Sequence, residues 1–120
     1  MYSTGYHEFV NPNITFTSGS YSISEVNDSN MVYIVNYLND FPSVKIRVEG
    51  HTDSDGGAQF NLDLSRKRAE SVKKWLIDQG IQVERISTIG YGKSRPIRGG
   101  STAEEKAVNR RVEIQFIKSE

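Results

Sequence analysis

The sequence of this 120-residue chain predicts an α+β fold, a two-layer sandwich with a mixed sheet and the helices on one face. Three observations predict it. Strand-type and helix-type hydrophobic periods succeed one another in the order β-α-β-α-β-β. Two strand–helix–strand connections make the sheet partly parallel, because such crossovers return the chain in the same direction. The composition, 36% hydrophobic and 25% charged, suits a single globular domain, placed at 14–118 behind an N-terminal tail at 1–13.

The first strand is Ile14–Thr17, a β-branched and aromatic run broken by Ser18, Gly19 and Ser20. Ser22 and Glu25 have capping-box spacing, and Met31, Ile34, Val35 and Leu38 then share one helical face. Asn27–Asn30 is poor helix material, which allows a later start, and Pro42 ends the helix. Val44, Ile46 and Val48 alternate with Lys45 and Arg47, the pattern of a half-exposed strand. A glycine-bearing loop over Glu49–Gln59 leads into a helix from about Phe60 to Gln79, with Leu64, Ala69, Val72 and Leu76 in register and Gly80 as the stop. A short strand follows at Ser87–Gly90, then a loop over Gly92–Gly100. The last strand is predicted within Val108–Ile117, where Val112, Ile114 and Phe116 alternate with Arg111, Glu113 and Gln115.

Charge narrows the function. Fifteen basic residues balance fifteen acidic ones, which argues against general nucleic-acid binding. The Val44–Val48 strand also lacks the stacking aromatics that RNA-binding sheets use. From Arg85 to Arg111 seven bases face two acids, either a solvated surface or a rim that attracts an anionic polymer. The absence of cysteine excludes disulfides, thiolate metal sites and a cysteine nucleophile. The longest apolar run, Met31–Val35, is five residues, far short of the roughly 20 needed to span a bilayer. Residues 1–19 hold no Lys or Arg and no apolar stretch, so the expectation is an excised domain of a longer protein, touching a membrane only through an upstream segment.

The candidate site is the loop VEGHTDSDGG, Val48–Gly57, with the helix that follows. His51, Asp53 and Ser54 or Ser65 can be drawn as a triad, but no G-x-S-x-G elbow marks a nucleophile, so no catalytic residue is predicted. Asp53, Asp55 and Gly56 resemble part of a calcium loop. The bidentate glutamate of that loop would fall on Leu62, and zinc has too few histidines, so neither a metal nor a cofactor is expected. Recognition remains. Asn61 and Arg68 are seven residues apart on the helix and project to about the same side, back towards Asp53. Such an acid and guanidinium form either an internal salt bridge or a clamp for a zwitterion, with Asp53 taking an ammonium and Arg68 a carboxylate.

The stretches VEGHTDSDGGAQFNLDLSRKRAESV, GYGKSRP and NRRVEI resemble the OmpA-like carboxy-terminal domain family, whose motifs they match in order and spacing over about Ile14–Phe116. That family includes porin tails, peptidoglycan-associated lipoproteins and flagellar stator proteins. The resemblance implies noncovalent binding to peptidoglycan through stem-peptide diaminopimelate. It further implies a location on the periplasmic side of the outer membrane, and the anchoring of an outer-membrane protein or membrane complex to the cell wall. A peptidoglycan-modifying hydrolase or an envelope protein–protein interaction module is the alternative. The aspartate of H-T-D and the arginine of S-x-x-R-A, which hold the amino-acid end in the family, fall on Asp53 and Arg68. Asn61 and Arg110 are implied to border the pocket, and Thr52 completes H-T-D. Thr17 follows Phe16 where many members carry an acid, so the polar contact there is changed. A second departure is Thr102–Lys106, which stands in place of T-x-x-G-R.

Overall fold

The computed structural model describes residues 5–7, 14–16, 18–22, 28–96 and 102–118. The elements are β1 (Gly5–His7), β2 (Ile14–Thr15), α1 (Asp28–Asp40), β3 (Val44–Gly50), α2 (Ala58–Asp78), a 3-10 turn (Val83–Arg85), β4 (Ile86–Gly90), α3 (Ala103–Asn109) and β5 (Arg111–Lys118). The sheet runs β1-β5-β3-β4, with β2 also paired to β5. Strands β3 and β4 are parallel, as a crossover through α2 requires, and β5 is antiparallel to β1, β2 and β3. Val112 faces Gly50 on one side and Ile14 on the other, so β1 and β2 share the outer edge of β5.

The α+β sandwich and its mixed sheet are as predicted. Two local expectations are corrected. Gly5–His7, expected within a tail, forms a strand paired with Phe116–Lys118. Its lack of a hydrophobic period hid it, because an edge strand held by backbone bonds needs none. Helix α3 fills the segment left without an element between the Gly92–Gly100 loop and the Val108–Ile117 run, and takes up Val108 and Asn109 from that run. Thr102 and Glu105 close a reciprocal capping box at its start, with both bonds at 3.1 Å. Helix α1 spans Asp28–Asp40, so Asp28, Ser29 and Asn30 are helical despite their low propensity. Glu25 of the expected Ser22–Glu25 box lies outside the described residues.

The apolar stripes meet in one core. Met31, Ile34 and Leu38 of α1 and Ala69, Val72 and Leu76 of α2 pack on Val44, Ile46, Val48, Val112, Ile114 and Phe116 of the sheet. Close approach of α2 depends on glycine. A Cβ at Gly50 would overlap the Ser65 carbonyl oxygen, and one at Gly90 would lie 2.7 Å from the Arg66 backbone nitrogen. Helix α1 has no basic residue in its own last turn, and Arg85 supplies one. Its guanidinium donates to the carbonyls of Leu38 (2.9 Å), Phe41 (3.0 Å) and Val44 (2.9 Å). Among the described residues no helix is long and apolar enough to cross a membrane.

Candidate functional site

Parallel strands bring ligands to their carboxyl ends, where the connecting loops leave a crevice. Here that position is the turn between β3 and α2. The His51 N–H donates to the Arg111 carbonyl (2.8 Å) and the Thr52 N–H to that of Gly92 (2.9 Å), tying the turn to both neighbouring strands. The Asp55 N–H donates to Asp53 Oδ1 at 3.0 Å. This local ring explains why an aspartate suits the turn. Asn61, on the first turn of α2, donates to the Asp55 carbonyl at 2.7 Å and closes the loop from the helix side. Lys106 of α3 pairs with Asp55 at 3.0 Å, so the helix missing from the sequence reading helps to hold the loop.

The resulting cleft has a volume of about 210 Å³. Thr52, Asp53, Asn61, Arg68 and Arg110 all line it, so five of the six predicted site residues share one cleft. The sixth, Thr17, lies outside the described residues. Ser18, Gly19, Phe60 and Leu64 complete the lining; sequence reasoning did not single these out, since nothing but tertiary placement marks them.

The charges are arranged as plus, minus, plus. Arg68 is fully buried and donates through Nε to the Ser20 carbonyl (2.8 Å) and through Nη1 to the His51 carbonyl (3.0 Å). Its guanidinium carbon lies 5.2 Å from the centre of the Phe16 ring. Burial pulls its pKa down to about 10, with Asp53 opposing that fall and Arg110 adding to it, so it stays cationic at neutral pH. Asp53 Oδ2 pairs with Arg110 Nη1 at 3.1 Å. Arg110 therefore does more than border the cleft: it is an ion-pair partner of Asp53, and its Nε donates to the Phe16 carbonyl at 3.0 Å.

A Ser–His–Asp reading finds no Ser–His hydrogen bond among the described residues. Ser65 is fully buried, donates to the Leu62 carbonyl (2.8 Å) and accepts the Gly92 N–H (2.9 Å). The His51 ring lies stacked on Tyr91, and neither ring nitrogen has a hydrogen-bond partner among the described residues. Burial, reinforced by Arg111, lowers its pKa to about 4, so the imidazole is neutral at pH 7.

The expected basic rim is largely committed as well. Arg85 caps α1, Arg95 lies over Tyr91 at 3.8 Å, and Arg110 and Arg111 are ion-paired.

Comparison with known proteins agrees with this architecture. Residues 15–110 match the OmpA family. The chain is 43% identical over 102 residues to the probable lipoprotein YiaD of Escherichia coli K12, covering 85% of this chain and 47% of that protein. It is 35% identical over 103 residues to outer membrane porin F of Pseudomonas aeruginosa, covering 85% and 29%. The crystal structure of the peptidoglycan-associated lipoprotein from Burkholderia pseudomallei superposes with a TM-score of 0.80 at 30% identity, covering 87% of this chain and 88% of that one. The chain thus spans about half or less of the length of these two sequence relatives.

Proposed function

The chain belongs to the OmpA family, and from that premise we propose that it is a non-catalytic module that binds peptidoglycan and anchors a larger envelope protein to the cell wall. It works on the periplasmic side of the outer membrane, the compartment suggested by its porin and lipoprotein relatives. The ligand group is the amino-acid end of stem-peptide diaminopimelate, a carboxylate and an ammonium on one carbon. The observation that carries this reading is the cleft in which Asp53 stands with Arg68 and Arg110.

A zwitterion suits that cleft electrostatically. One carboxylate between two guanidiniums leaves a net positive charge, which a ligand carboxylate offsets by bidentate contact. The Asp53 carboxylate accepts more than one hydrogen bond per oxygen. Its bond to Arg110 therefore leaves capacity for a ligand ammonium. Two charge-assisted contacts contribute about 1.5–3 kcal/mol each, against an association cost of at least several kcal/mol. A single stem peptide should bind with micromolar to millimolar affinity, about −4 to −8 kcal/mol. Many copies on one polymer raise the effective strength without new contacts.

The test is titration of the purified domain with a diaminopimelate-containing stem peptide, followed by NMR, alongside co-sedimentation with sacculi. The expected result is saturable shifts at Asp53, Arg68 and Arg110 with pull-down by sacculi. Pull-down without shifts at these residues would place the wall contact elsewhere, and failure of both would remove the reading.

A further inference from the structure

On the sheet face opposite α1 and α2, we propose that Glu49, His51 and Glu113 form a site for one first-row divalent metal ion, with Zn²⁺ the best match. One ligand atom from each of the three lies within 4.8 Å of the others. The register creates the cluster. Glu49 of β3 stands directly opposite Glu113 of β5, and His51 follows Glu49 by two residues, on the same face. Like charges directly opposed across strands are unfavourable unless cations stand beside them.

Two guanidiniums balance the two carboxylates one to one. Arg47 Nε bonds Glu49 Oε2 at 2.8 Å, and Arg111 Nε bonds Glu113 Oε2 at 2.6 Å. These bonds orient both carboxylates and leave each Oε1 as a donor, the part that outer partners play around metal ligands. They do not account for His51. That side chain is 2% exposed, and both ring nitrogens are unpartnered among the described residues. A metal ion would give one of these buried ring nitrogens a partner and fix the tautomer of the ring. Imidazole with two carboxylates suits Zn²⁺. Ligand contacts of about 2.0–2.2 Å require donors roughly 3.3 Å apart. The Glu113 side chain, 26% exposed, has room to close that gap, and its open side admits a water as fourth ligand. Sequence reasoning discounted zinc for want of histidines, because the two carboxylates come from strands 64 residues apart and meet only through pairing.

The experiment is a ZnCl₂ titration of untagged, chelator-treated protein, read by calorimetry and by the imidazole ¹⁵N resonances, with Glu113→Gln and His7→Gln as variants. The expected result is one ion per chain, a large shift of one His51 ring nitrogen, affinity reduced about tenfold or more in Glu113→Gln, and no change in His7→Gln. No His51 shift in the wild-type chain would overturn the site, whatever the variants do. So would undiminished affinity in Glu113→Gln or lost binding in His7→Gln.

Discussion

Replacing Asp53 by Asn removes the negative charge of the cleft with almost no change of shape. In the folded protein the Asp55 N–H bond to Oδ1 is retained by the amide oxygen, while the 3.1 Å pair with Arg110 is lost. Arg110 keeps its bond to the Phe16 carbonyl, but Arg68, fully buried, loses the counter-charge that opposes the fall of its pKa. Breaking the Asp53–Arg110 pair falls between the exposed and fully buried cases, and about 2–4 kcal/mol of stability should go. A domain of this size has about 5–15 kcal/mol in hand, so the variant stays folded at 25 °C with its melting temperature down roughly 10 °C. Binding loses an ammonium contact of about 1.5–3 kcal/mol, a factor of about 10–150. The decisive assay is a cycle: wild type and Asp53→Asn, each titrated calorimetrically with the stem peptide and with its N-acetylated form, which carries no ammonium. Acetylation should cost the wild type that same factor and the variant little, a coupling of about 1.5–3 kcal/mol. Equal penalties in both proteins would refute the pairing of Asp53 with the ammonium.

Three further outcomes are expected. Arg68→Ala takes the donor from the half-buried carbonyl of Ser20 and the buried carbonyl of His51, at about 1–3 kcal/mol for the buried one and less for the other, so chemical denaturation should show a loss of about 2–4 kcal/mol; Arg68→Lys should lose less stability yet bind stem peptide about tenfold more weakly, because an ammonium cannot make a bidentate contact. Metal-free protein should lose stability as pH falls: His51 titrates near 6.5 when unfolded and about 4 when folded, so the unfolded chain takes the proton first, the contribution is whole above pH 6.5, and about 3 kcal/mol is gone by pH 4, a slope that urea melts of a folded His51→Gln variant should lack. Gly50→Ala should cost about 3 kcal/mol or more, measured by thermal melting, because the new methyl displaces α2 at Ser65.

Periodicity carries information about elements that bury one face. It was enough to place α2 to within about two residues and to assign Val44, Ile46, Val48, Val112, Ile114 and Phe116 to the core. Motif spacing likewise brought Asp53, Asn61 and Arg68 together, since a short loop and two helical turns leave little freedom. Helix α3 was legible too, in the Thr102–Glu105 capping box, but Val108 next to a strand pattern drew the assignment away. Strand β1 offered no such signal, because it is defined by backbone pairing to β5.

What the sequence alone determined is the layering of the fold and the identity of the charges at one turn, both consequences of local period and short separation. Tertiary structure decided how those charges pair. It gave Asp53 to Arg110, 57 residues away, set Arg68 against two backbone carbonyls, and faced Glu49 with Glu113 beside a neutral imidazole. The reason is physical: partners across a sheet or between a loop and a distant strand are chosen by register and burial, and neither quantity exists until the chain has closed on itself.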